Sequence, residues 1–274
     1  MEKKTYTNNG KISSRQTLRL YVFDLMGIAT LLIPPYLAKL CGANGIYAIL
    51  LGTGCGVLYL FYLGWIMKQM GTDMCSYLRS HTNGFIQKLV FFLVMIHSIF
   101  TAGFCAFVFA NLMQYTLIKE ISFTLVLCVL LIVSAYAVSG GIESRARTYE
   151  VLFWFVFIPY VIMMLFSIRD IKLEYLSSFF DVQTRPFWEG TYLVFLLLTP
   201  LFFSIFLLEK NDTKSKIYGK DMITMVSRAL LFSVVVFLGS YLILVGCFGE
   251  QGLSAMRYPI VTLMSTVQFR GSFI

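Results

Sequence analysis

Long apolar runs separated by short polar, often basic, segments dominate the chain. Seven such runs stand out: residues 18–40, 45–67, 89–117, 121–138, 151–168, 192–208 and 229–248. Six of them run to 17–23 residues and 89–117 to 29, against the ~20 residues, within a range of about 17–25, that a helix needs to cross the hydrocarbon layer. None shows the strict two-residue alternation of a barrel strand, and backbone groups in lipid must be satisfied within their own segment. The pattern therefore predicts seven membrane-spanning helices. A last apolar piece, 258–269, reaches only about 18 Å as a helix, too short to span. It predicts a short helix lying on or dipping into the outer face of the protein. Residues 1–17 are polar and predict a cytoplasmic N-terminal segment; 18–274 predict a single membrane domain.

Composition agrees with the pattern. Hydrophobic residues make up 58% and charged residues 13%, with a mean hydropathy of +0.77, against about 45–50% and about 25% in soluble domains. The formal charge of +8 changes the picture only through its placement. Basic residues sit between the apolar runs rather than along one face, which argues against a nucleic-acid partner and for topology. With the N-terminus inside, fifteen Lys and Arg fall on the inner side and six on the outer, so the positive-inside rule places the N-terminus and the basic run 210–220 in the cytoplasm. The expected result is that a cysteine at Lys214, in a background lacking the native cysteines, resists an impermeant thiol reagent from outside; labelling from outside would overturn the topology. The six cysteines are scattered, with no CxxC and no Cys/His cluster, so neither a zinc site nor a disulfide framework is expected. No removable signal peptide is expected either.

Two runs are interrupted. In the first, Gly27 precedes Pro34 and Pro35; in the sixth, Thr199 precedes Pro200. Proline removes a backbone donor and clashes with the preceding turn, and glycine permits unwinding. Either feature alone is an ordinary membrane-helix kink. Interruptions five spans apart instead point to an inverted-repeat transporter fold with broken helices 1 and 6 and a ligand at the breaks. Gly27, Ile28, Ala29 and Thr30 are then the expected unwound stretch, with Thr199 and Pro200 opposite. A threonine bonded back to its own helix is the alternative for both hydroxyls. Asp24 lies about one turn before Gly27, where a carboxylate costs on the order of 2.5–3.5 kcal/mol at mid-helix, so it is a candidate ligand or ion contact. It could equally reach interfacial water or pair with a basic residue. His97, central in the third span, is a candidate ligand or proton contact, set against a neutral histidine bonded between helices. Glu143, Arg147 and Glu150 suit a helix start.

The opening Lys11-Ile12-Ser13-Ser14-Arg15-Gln16, Gly27 with Pro34, the stretch Gly42-Ala43-Asn44-Gly45-Ile46-Tyr47, and above all the loop Gly141-Ile142-Glu143-Ser144-Arg145-Ala146-Arg147-Thr148-Tyr149-Glu150 resemble the B subunits of spore germinant receptors. So does the end of the chain, Tyr258-Pro259 through Arg270-Gly271-Ser272-Phe273-Ile274. These GerAB-type proteins belong to the amino acid–polyamine–organocation transporter superfamily. The resemblance covers essentially the whole chain. It departs at Tyr47, where tryptophan is more usual, and at Thr199-Pro200, where many members carry glycine. It also implies ten spans, so a truncation after span seven, lacking spans eight to ten, is expected.

What the resemblance implies is a receptor subunit in the bacterial cytoplasmic membrane, the inner membrane of the spore. It would sense a small germinant, an amino acid, through a transporter-like pocket, with other receptor subunits and membrane lipid as partners and no cofactor. An ion- or proton-coupled amino acid permease is the alternative. A membrane enzyme is disfavoured, because no paired carboxylates, metal spacing or nucleophile–base set occurs within the spans.

Overall fold

A computed structural model describes residues 12–70, 74–117, 120–180, 184–203 and 220–266. The regular structure among them is helical, without strands. The helices are α1 Ser14–Cys41, α2 Gly45–Met70, α3 Met74–His81, α4 Gly84–Thr116, α5 Phe123–Ser139, α6 Gly141–Ser167, α7 Thr184–Leu197, α8 Lys220–Ala255 and α9 Pro259–Thr266. Four helical stretches are long and apolar enough to cross a membrane: Ser14–Met70, Gly84–Thr116, Gly141–Asp170 and Ile223–Ala255. The first contains both α1 and α2, of 28 and 26 residues, parted by a turn at Gly42 whose φ of +56° suits glycine. The apolar helices Phe123–Ser139 and Phe187–Leu197 are shorter.

Local chemistry sets several helix ends. Ser13 and Gln16 form a reciprocal capping box: the Gln16 N–H donates to Ser13 Oγ at 3.3 Å, and the Ser13 N–H donates to Gln16 Oε1 at 3.0 Å. Gly249, at φ +69° and ψ 170°, puts a kink within α8. The short helix expected near the C-terminal end is α9, and its Pro259, Ile260 and Leu263 are buried, so it packs on protein.

The chain divides into two compact units. One comprises Met1–Leu20, Leu63–Glu150 and Phe203–Met225. Within it α4 packs on α5, and Phe107 meets Phe123 edge-on with ring centroids 5.6 Å apart. The other comprises Tyr21–Tyr62, Val151–Phe202 and Val226–Ile274. In it α1, α6 and α8 meet through ring contacts among Phe23, Phe153, Phe157 and Phe232. A bond of 2.5 Å between the hydroxyls of Tyr160 and Ser240 also ties α6 to α8. Small residues let backbones approach, as membrane helix packing favours. At Gly190 on α7 an added Cβ would lie 2.6 Å from Cys41 Sγ, and at Gly56 on α2 it would lie 2.8 Å from Leu198 Cδ1.

The two expected interruptions come out differently. At the sixth run α7 ends at Leu197, Leu198 leaves the helix at φ −81° and ψ 21°, and Thr199–Leu201 form a 3-10 turn with proline at its start. Residues 204–219 lie outside the described ones. The first run shows no such end. α1 is helical throughout, including Gly27 to Thr30, with Pro34 and Pro35 inside it. The expectation of an unwound stretch is therefore corrected for this conformation. A physical reason is visible at Thr30, whose hydroxyl donates to the Met26 carbonyl at 2.6 Å. That adds a side-chain bond to the turn expected to open. The basic run 210–220 lies outside the described residues except for its last member, as does the segment 267–274.

Candidate functional site

Of the candidate residues, Asp24, Gly27, Ile28, Ala29, Thr30, Thr199 and Pro200 lie in one unit and His97 in the other. On α1, Ala29 is buried, Asp24, Ile28 and Thr30 are half-buried, and Gly27 is exposed. The position a Cβ would take at Gly27 has no neighbouring atom within 4 Å, so the helix presents bare backbone to open space there. Thr199 and Pro200 are half-buried at the α7 interruption, above Leu201, which is buried. Both threonines bond back to their own chain: Thr199 donates to the Leu196 carbonyl at 2.5 Å, as Thr30 does to Met26. His97 is exposed on α4 and stacks on Phe203, with ring centroids 5.5 Å apart.

The α1–α2 turn is held by residues the sequence did not single out. Glu250 accepts a hydrogen bond from the Ala43 N–H at 2.9 Å, and Tyr241 donates its phenolic hydrogen to the Gly42 carbonyl. The Glu250 carboxylate lies so close that a Cβ on Gly42 would sit 2.7 Å from Oε2. The positive φ favours glycine here, and a larger residue would also push against the Glu250 carboxylate. Beside this tie, where α8 kinks at Gly249, opens a cleft of about 340 Å³ whose walls include Glu174, Tyr175, Phe248 and Glu250. Carboxylates together with aromatic rings suit a cationic group. Distance hid this corner from sequence reading: Ala43 and Glu250 are 207 positions apart. The usable signal was a glutamate following a glycine at the end of an apolar run.

The loop motif at the start of α6 is also resolved. Arg147 pairs with Glu143 one turn earlier on the same helix. Glu150 instead meets the first turns of α1. Its carboxylate is 2.8 Å from Arg15 and 3.3 Å from Arg19. It also accepts from the Gln16 amide at 2.9 Å, and Arg19 donates to the Glu150 backbone carbonyl at 3.2 Å. Among the described residues no group of His, Cys, Asp and Glu is placed to hold a metal ion.

A profile of the family described as spore germination protein matches residues 11–274. The chain is similar to spore germination protein B2 of Bacillus subtilis (strain 168), at 25% identity over 272 residues, covering 96% of this chain and 71% of that one. It is also similar to spore germination protein A2 of the same organism, at 17% identity over 266 residues, covering 96% and 72%. No solved structure matches it.

Proposed function

The chain belongs to the spore germination protein family, and from that premise we propose that it is a germinant receptor subunit sensing a small molecule, an amino acid, through a transporter-like membrane pocket. The observation that carries this reading is the family match along residues 11–274. The helical stretches long enough to span a bilayer and the interruption at Leu198 in α7 support it. In this reading the protein sits in the bacterial cytoplasmic membrane, the inner membrane of the spore, with its N-terminus in the cytoplasm. It works beside the other receptor subunits.

The pocket we propose is built from Asp24, Gly27, Ile28, Ala29 and Thr30 on α1 and Thr199 and Pro200 beyond α7; His97 on α4 is a separate candidate, in the other unit. An amino acid carboxylate seeks free backbone N–H groups, which an interrupted helix supplies. The 3-10 turn at Thr199–Leu201 is already such an interruption. α1 supplies a wall of bare backbone at Gly27, beside which the helical state already leaves open space.

Deleting the gene is expected to leave spores unresponsive to one class of amino acid germinant while other triggers still work. Normal germination to every amino acid, with the receptor complex still assembled, would overturn the reading. Uptake of labelled amino acid by vesicles containing the protein would favour a permease.

A further inference from the structure

We propose that Glu150 is a positioning residue that clamps the first turns of α1 and thereby sets how readily the ligand-bearing part of that helix responds. Two motifs that stand out in the sequence, the opening around Ser13–Gln16 and the loop ending at Glu150, lie more than 130 residues apart. The structure joins them in one contact. The Glu150 carboxylate takes bonds from Gln16, Arg15 and Arg19 at 2.9, 2.8 and 3.3 Å, and Arg19 also holds the Glu150 backbone carbonyl.

The partners are not equal. The Arg15 side chain is 74% exposed, so solvent screens its pair and little stability rests on it. Arg19 is only 14% exposed, and its Nη1 reaches both the carboxylate and the backbone carbonyl of Glu150. Gln16 is shared: its oxygen closes the capping box with Ser13 while its nitrogen holds Glu150. The cap of α1 and its tether are thus one network, and loosening Glu150 loosens the start of the helix. The neighbouring Glu143–Arg147 pair lies within a single helix. That bond within one helix gives a comparison for the bonds that reach α1.

α1 is one helix that carries both the clamped first turns and the stretch 27–30. The link to ligand response rests on the function proposed above; the clamp itself does not. Two readouts keep them separable. The first is chemical. Thr17 is 2% exposed beside the clamp. In the full chain with native cysteines replaced, the labelling rate of Thr17→Cys by N-ethylmaleimide in membranes open on both sides reports opening of this turn. Glu150→Gln and Arg19→Gln are each expected to raise that rate about tenfold or more, while Arg15→Gln and Glu143→Gln change it less than about twofold. Glu150→Arg combined with Arg15→Glu and Arg19→Glu is expected to bring it back. The second readout is the half-maximal concentration of L-alanine and of other single amino acids for germination. It is expected to shift about tenfold in Glu150→Gln at equal protein level and to return in the charge-swapped variant.

An unchanged labelling rate in Glu150→Gln, or a charge swap that folds but does not restore it, overturns the clamp. A raised labelling rate with an unshifted half-maximal concentration reduces Glu150 to a structural tie and overturns its positioning role. If the unaltered protein answers no amino acid, the functional reading falls and the positioning role falls with it, while the labelling rates still judge the clamp as a contact.

Discussion

Gly52→Val is expected to cost most of the folded protein, while Gly54→Val, two residues along the same helix, costs almost nothing. A Cβ on Gly52 would lie 2.7 Å from Val194 Cβ and 2.8 Å from the Thr191 carbonyl oxygen. Both belong to α7, and neither is the tip of a flexible side chain that could swing aside. The two helices must therefore separate, and overpacking of this kind costs about 1–3 kcal/mol, occasionally more. At Gly54 an added Cβ meets nothing within 4 Å. Because the same substitution is made in the same helix, the change in intrinsic helix preference is shared and only packing differs. Thermal midpoint and the monodisperse fraction in detergent measure the difference. Equal behaviour of the two variants would refute the packing of α2 on α7.

This contact also marks how far the sequence could be read. Hydropathy locates α1, α2, α4 and α5 within about five residues at each end, because the bilayer imposes length and apolarity on each run independently of its neighbours, whereas α6, α7 and α8 begin at Gly141, Thr184 and Lys220, well before the runs starting at 151, 192 and 229. It missed α3, Met74–His81, which is short and has one buried residue, Leu78. The end of the seventh run at 248 falls at the non-helical Gly249, beyond which a further helical piece runs to Ala255. The deeper gaps concern pairing. Glu150 looked like a partner for its own helix dipole, yet it bonds to Arg15, Gln16 and Arg19. Glu250 looked like part of a linker, yet it holds the Ala43 amide. No local pattern encodes such partners, since each arises where helices distant in sequence meet. Proline alone does not say whether a helix ends. Pro200 stands beside Thr199 in a non-α turn, whereas Pro34 and Pro35 lie inside an intact helix. The resting geometry of α1 bears directly on what a substitution at Gly27 should do.

Gly27→Val is expected to leave the protein folded and to reduce germinant response about tenfold or more. The first half follows from geometry: no atom lies within 4 Å of the added Cβ, and the φ of Gly27 is not positive, so neither a clash nor backbone strain arises. A lost response therefore cannot be ascribed to misfolding, and expression and thermal midpoint should match the unaltered protein. The second half has two distinguishable causes. If ligand must open the helix at this point, any residue that favours helix over glycine opposes it. Alanine, about 1 kcal/mol more favourable than glycine in a helix interior, would then act most strongly, shifting the half-maximal concentration about fivefold, with valine weaker because its χ1 is restricted. If instead the ligand approaches bare backbone, bulk decides, and valine acts much more strongly than alanine. Our expectation is the second order, valine far beyond alanine, because the space beside Gly27 is already open in the helical state. Asp24→Asn, which keeps shape and removes charge, then tells whether a cation or proton accompanies the ligand. Should Gly27→Val respond to germinant as the unaltered protein does, α1 is an ordinary helix here and the ligand binds elsewhere.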